Sequence, residues 1–134
     1  FMFTWKFLLF FTLIILVSFA LILWSRIYLR WEWLDMPLHF AGGLAAGIFG
    51  VLILKIRPIK NYSRLFLLFQ IVSAAVLIGV LWEFSEWFFD ITVASAYDWP
   101  STQVDLDDTM MDLALDFLGG YIAAVIYVRK VFSK

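Results

Sequence analysis

The feature that most constrains this chain is a series of long apolar stretches with few or no charges. The first, residues 7–24, has 18 residues and no charged side chain. At about 1.5 Å of rise per residue, a helix of that length nearly spans the roughly 30 Å hydrocarbon core of a bilayer. Three more apolar stretches follow at 38–54, 65–89 and 109–128. The pattern therefore predicts a chain that crosses a membrane several times.

The composition supports this prediction and excludes other classes. Charged residues make up 16% of the chain, against about a quarter in soluble domains. The formal net charge is −1, so nucleic acid is not expected as a partner. We predict an all-α fold, an integral membrane bundle of four transmembrane helices forming one domain, 1–134. The helices are expected at about 5–28, 37–56, 64–89 and 108–130, with an outer loop over 90–107.

The basic residues predict the orientation in the membrane. Lysine and arginine near the ends of membrane helices prefer the cytoplasmic side. Only Arg26 and Arg30 lie on one side of the predicted bundle. The other side carries Lys6, Lys55, Arg57, Lys60, Arg64, Arg129, Lys130 and Lys134. We therefore predict a multi-pass protein of the cell membrane with both termini in the cytoplasm.

Acidic residues are concentrated at the opposite, outer end of the predicted helices. The third and fourth segments each carry three acids on one helical face: Glu83, Glu86 and Asp90, then Asp108, Asp112 and Asp116. The only histidine, His39, lies in the first turn of the second segment. In an antiparallel bundle the end of the third segment meets the start of the second and fourth. These groups are therefore expected at one level.

Ionised carboxylates inside a bilayer are costly, and they normally pair or bind ions. Carboxylate oxygens with one imidazole suit Mg²⁺, Mn²⁺, Ca²⁺ or Zn²⁺, so a divalent metal ion is the expected cofactor. Protons held on the acids, or Arg26 and Arg30 as counter-ions, are the alternatives. The predicted metal ligands are His39, Glu83, Glu86, Asp112 and Asp116. Within that set, His39, Glu83 and Asp112 are the candidate catalytic residues.

Other residues have simpler structural interpretations. Asp35 with Pro37 is typical of a helix start, and Asp105, Asp107 and Asp108 are expected to cap the free N–H groups of the fourth helix. Asp98 is expected in a turn, and Glu32 and Asp90 on the solvated rim. The glycines predict close helix packing rather than a phosphate site: Gly42, Gly43, Gly47, Gly119 and Gly120.

Three short motifs resemble those of a known family. Asp35-Met-Pro-Leu-His39-Phe40, Trp82-Glu83-Phe84-Ser85-Glu86 and the Asp108, Asp112, Asp116, Gly119 series occur in the order and on the helices typical of VanZ-like membrane proteins. YjdF-like membrane proteins share a similar pattern. The resemblance covers about residues 35–125 and implies the fold and the position of the site. Met36, Glu86 and Asp116 depart from VanZ-like patterns and make this site more acidic, which favours a cation or protons.

Three functions are compatible with these features. The first is a metal-dependent enzyme that acts at the outer leaflet on a lipid-linked or cell-envelope substrate. The second is a non-catalytic membrane subunit, and the third is a proton or cation transporter. Membrane lipids are the expected partners, together with further copies of the chain or a larger membrane complex.

Overall fold

The computed structural model describes residues 34–56, 62–99, 101–103 and 105–133, and five isolated positions (6, 9, 12, 13 and 16). Three long helices dominate this part of the chain: α1 (Asp35–Ile56), α2 (Arg64–Phe89) and α3 (Leu106–Phe132). The described ranges contain no strand, which confirms the all-α prediction for them. The helix predicted over 5–28 falls almost entirely outside the described residues.

The three helices correspond to the second, third and fourth apolar segments of the sequence. Each is long and apolar enough to cross a membrane. Four crossings, and the side on which the termini lie, remain predictions, because the first segment is outside the described ranges.

Side-chain caps begin α2 and α3. The backbone N–H of Phe66 donates to the Ser63 hydroxyl over 3.2 Å. The N–H of Asp108 donates to the Asp105 carboxylate over 3.0 Å. Each cap satisfies one of the free N–H groups of a first helical turn. The expected capping role of Asp105 is confirmed by this geometry.

The predicted outer loop, 90–107, is partly helical, which corrects the sequence interpretation. A π-helix, Asp90–Ala94, and one further turn, Ser95–Tyr97, continue α2. No glycine or proline lies between Phe89 and Pro100, so nothing forces the helix to stop at Phe89. Asp98 ends the run in the left-handed region, with φ of 52°. The true loop is therefore short.

Small residues bring α1 and α3 into backbone contact. A Cβ atom at Gly43 would collide with the backbone of Asp116, and one at Gly119 would collide with the backbone of Phe40 and Leu44. Further along, Gly47 faces Gly120, so the two helices run parallel. Close approach of this kind is what small-residue stripes allow in membrane helices. The N-terminal turns of α1 and α3 are thereby fixed side by side.

Helix α2 packs antiparallel against this pair. Gly50 of α1 faces Ile71 and Ala74 of α2, whereas Gly79 of α2 faces Asp116. Val51, Ile71 and Ala124, one from each helix, are fully buried in the centre of the bundle. As a result, the last turns of α2 lie beside the first turns of α1 and α3.

The two ends of the bundle differ in charge. The basic residues described in the three helices are Lys55, Arg64, Arg129 and Lys130, and all lie at the end away from His39. The Arg64 guanidinium lies 4.9 Å from the ring centroid of Phe132, and the Lys55 ammonium lies 5.9 Å from that of Tyr127. The acid-rich end therefore has no basic side chain from these helices except His39.

The close contact at Gly43 leads to a prediction about stability, and the neighbouring Gly42 provides the control. We expect Gly43→Ala to cost about 1–3 kcal/mol of unfolding free energy, because its new methyl group must push α1 and α3 apart. Gly42→Ala should change stability little, since its methyl group would meet only the Asp116 carboxylate at 3.7 Å. Thermal unfolding of the detergent-solubilised protein measures both. Equal melting temperatures for the two variants would contradict the packing account.

Candidate functional site

The imidazole of His39 lies at the centre of a buried group of carboxylates. Its Nε2 atom is 3.6 Å from Asp35 Oδ1, 3.8 Å from Glu83 Oε1 and 3.8 Å from Asp112 Oδ2. The three acids come from α1, α2 and α3 respectively. One ring nitrogen therefore faces a carboxylate from every described long helix. We call His39, Asp35, Glu83, Glu86, Asp112 and Asp116 the acid site.

The other ring nitrogen has a different neighbour. His39 Nδ1 lies 3.2 Å from Asp116 Oδ2. When the Asp116 carboxylate is ionised it can only accept a hydrogen bond, which assigns the proton to Nδ1; in the neutral ring Nε2 then keeps its lone pair. The Asp116 carboxylate occupies the space that Gly79 leaves on α2, since a Cβ atom there would collide with it. Asp116 thus orients the ring instead of facing Nε2.

Two buried atoms in the acid site have no hydrogen-bond partner among the described residues. They are His39 Nε2 and Glu83 Oε1, which face each other at a distance too long for a hydrogen bond. His39 is 5% exposed and Glu83 is 5% exposed. An unsatisfied buried polar atom costs about 1–3 kcal/mol, and more if charged. Within the described residues, the acid site therefore leaves both atoms without a hydrogen bond.

Glu86 completes the site on the α2 side. Two sets of three residues each place one possible ligand atom per residue within 4.8 Å of the others. One set is His39, Glu83 and Glu86, and the other is Asp35, His39 and Asp112. All six residues of the acid site are less than a tenth exposed. Five carboxylates and one imidazole are therefore confined together, and among the described residues only His39 can bring positive charge to them.

A short loop lies against the acid site and is held by Asp90. The Asp90 carboxylate accepts hydrogen bonds from the hydroxyls of Ser101 and Thr102. It also accepts from the backbone N–H groups of Thr102, at 2.8 Å, and Gln103, at 3.0 Å. Asp90 was expected as a rim residue on the same face as Glu83, but its oxygens are occupied by the loop. It anchors residues 101–103 at the end of α2.

Gln103 connects this loop to the acid site. Its side-chain Nε2 donates to Glu83 Oε2 over 2.7 Å. Weaker contacts join the same nitrogen to the Glu83 backbone oxygen, at 3.4 Å, and to the Thr109 hydroxyl, at 3.3 Å. Gln103 is thus the loop residue that touches a carboxylate of the site.

The structure brings together the five residues predicted as metal ligands, including the three predicted as catalytic. The sequence interpretation missed two others. Asp35 was expected only as a helix start, although its i, i+4 spacing from His39 places both on one face. Gln103 carried no recognisable signal, because nothing in a polar loop marks one amide as special. Arg26 and Arg30, the alternative counter-ions, lie outside the described residues.

Comparison with known proteins identifies the family. The family model described as "Predicted membrane protein (DUF2238)" matches residues 1–131. The chain belongs to this family. Membership confirms the expectation of a small membrane protein, in agreement with the three apolar helices.

One relative matches over a shorter region. It is a protein of Thermotoga maritima named "Uncharacterized protein", 47% identical over 55 residues, which are 41% of this chain and 27% of that protein. The match therefore spans about a quarter of the relative's length. No solved structure matches the chain.

Because Asp90 holds the loop, replacing it should weaken the protection of the loop amides from hydrogen exchange. In Asp90→Asn, an NH₂ group replaces one of the two acceptor oxygens and faces other hydrogen-bond donors. The backbone N–H groups of Thr102 and Gln103 should therefore lose their hydrogen bonds to residue 90. Because hydrogen bonds to charged groups are worth about 1.5–3 kcal/mol, we expect hydrogen exchange at these amides to accelerate about tenfold or more.

Asp98→Asn is the matched control. Asp98 is exposed, and asparagine tolerates its left-handed backbone. Equal exchange at residues 102 and 103 in the two variants would show that Asp90 does not hold the loop.

Proposed function

We propose that this protein binds a divalent cation at the acid site, on the outer side of the membrane, and uses it to act on a lipid-linked or cell-envelope substrate. The observation that carries the proposal is the pair of buried, unpartnered atoms, His39 Nε2 and Glu83 Oε1. A cation between them would satisfy both. It would also offset part of the negative charge that five buried carboxylates bring together.

The distances within the site fit a shared cation. Metal–ligand bonds to nitrogen and oxygen are about 2.0–2.2 Å for Zn²⁺ and Mg²⁺. Two ligands of one such ion are therefore separated by about 3 Å when at right angles and at most about 4.4 Å when opposite. The Nε2–carboxylate separations of 3.6–3.8 Å fall inside this interval. His39 belongs to two groups of close ligand atoms, one with Asp35 and Asp112 and one with Glu83 and Glu86. An ion on Nε2 could thus take Glu83 as a further ligand.

The hydrogen bond at Nδ1 supports a ligand role for His39. Metal-bound histidines usually donate their other N–H to a carboxylate or carbonyl group, which fixes the tautomer and the ring. Asp116 is placed to do this at 3.2 Å. In the proposal Asp116, predicted from sequence as a ligand, acts instead through the imidazole.

The remaining acids supply the chemistry expected of a metal-dependent enzyme. A bound divalent ion polarises a phosphoryl or carbonyl oxygen, or lowers the pKa of a bound water. With Nε2 on the metal, His39 cannot serve as the general base. That role falls to Glu86 of α2, whose carboxylate lies beside the same ligands.

The distribution of lysine and arginine, which predicts that the acid-rich end lies outside the cell, supports the outer membrane face as the place of action. A transporter is less well supported, since a relay of ionisable groups should continue through the helices. No Asp, Glu, His, Lys or Arg occurs in 40–54, 65–82 or 117–128. The acids therefore end near one surface.

Metal binding is testable on the purified protein in detergent. We expect the wild type to bind Mn²⁺ stoichiometrically in calorimetry. Asp112→Asn should lower the Mn²⁺ affinity more than about tenfold, because losing even a residue that only supports a ligand usually costs about tenfold. Asp107→Asn, an exposed acid on the same helix, should bind like the wild type. A wild-type protein that takes up no divalent ion would overturn the proposal.

The outward position of the site is tested separately by thiol labelling. The chain contains no cysteine, so an introduced cysteine is its only thiol. We expect Ala96→Cys, near the acid site, to react with a membrane-impermeant maleimide in intact cells. Ser133→Cys, at the basic end, should react only after the cells are permeabilised. The reverse pattern would place the acid site in the cytoplasm.

A further inference from the structure

The two carboxylate oxygens of Glu83 have different surroundings. Oε2 accepts a hydrogen bond from Gln103 Nε2 over 2.7 Å. Oε1 has no hydrogen-bond partner among the described residues and faces His39 Nε2 at 3.8 Å. One oxygen is therefore held from outside the site, and the other is presented to it.

The chemistry of Gln103 suits this asymmetry. A carboxylate can only accept, so the NH₂ end of the Gln103 amide must face Glu83, which fixes the orientation of the amide. Glutamine is also neutral. A lysine or arginine at this position would pair with Glu83 and cancel the charge that could attract a cation. Gln103 holds the carboxylate and leaves its negative charge in place.

Gln103 is itself fixed at two points. Its backbone N–H donates to Asp90 over 3.0 Å, and its side-chain nitrogen lies 3.3 Å from the Thr109 hydroxyl at the start of α3. The residue therefore links the end of α2 with the beginning of α3 directly beside the acid site. Such support around a ligand is what determines the ligand's orientation in metal sites.

The geometry points to Gln103 as a positioning residue that restricts Glu83 to binding a cation through one oxygen, and so selects small octahedral ions over Ca²⁺. This inference rests on the proposed function. Ca²⁺ takes six to eight oxygens at about 2.3–2.6 Å and often binds carboxylates through both oxygens, whereas Mg²⁺ requires a compact octahedron. Two-oxygen binding by Glu83 would cost its bond to Gln103. The amide thus disfavours the larger ion.

The experiment compares Mn²⁺ and Ca²⁺ binding by calorimetry in the full-length protein. We expect the wild type to prefer Mn²⁺. In Gln103→Ala, Mn²⁺ affinity should fall about tenfold, the usual scale for loss of an outer support, while Ca²⁺ affinity falls less or rises. The dissociation constant for Ca²⁺ divided by that for Mn²⁺ should therefore decrease. A loss of protein stability alone would not change this ratio.

Two further variants sharpen the test. Asp90→Asn releases the loop without altering Gln103, so it should shift the ratio in the same direction, even if Gln103→Ala folds poorly. Gln70→Ala makes the same side-chain change at an exposed position of α2 far from the acid site, and it should bind both ions like the wild type.

The outcomes separate this inference from the proposed function. A wild type that binds Mn²⁺, with an unchanged ion ratio in both Gln103→Ala and Asp90→Asn, overturns the role of Gln103 and leaves the cation site standing. An equal loss of affinity for both ions also overturns the selectivity. A wild type that binds neither ion overturns the site itself.

Discussion

The cost of burying carboxylates governs the structure of this protein. Five acids surround one imidazole, and each is less than a tenth exposed. Isolated ionised carboxylates are strongly destabilised away from water unless they are paired, hydrogen-bonded or bound to a metal. The single histidine cannot compensate five of them. Among the described residues the site is thus incomplete as an ion-pair network, and this imbalance is what the proposed cation would offset.

The packing of the helices brings these acids together. Gly43 and Gly119 allow α1 and α3 to touch through their backbones, and this contact sets His39 beside Asp112 and Asp116. Gly79 opens the space on α2 that the Asp116 carboxylate fills. The same small residues that allow the apolar body to pack therefore also assemble the polar end. The packing of the body and the geometry of the acid site thus depend on the same contacts.

The helices and most of the site could be predicted from the sequence because both follow from simple helical periodicity. The predicted range 64–89 coincides with Arg64–Phe89, since an apolar run bounded by charge leaves little choice. Glu83 and Asp112 could be placed at one level because helical rise is constant. The helical continuation after Phe89 and the contact of Gln103 with Glu83 depend on tertiary geometry. Neither spacing nor composition encodes them in a recognisable form.

The parallel arrangement of α1 and α3 has an electrostatic consequence. Both helices direct their N-terminal ends, which carry partial positive charge, toward the acid site. Asp35 and Asp112 lie within the first two turns of those helices, where this dipole favours a carboxylate. Helix α2 runs the other way and its helical continuation reaches Tyr97, so neither end of this helical run lies at Glu83 or Glu86. The glutamates of α2 therefore lack the helix-end stabilisation available to Asp35, so their charge depends on the groups that surround them.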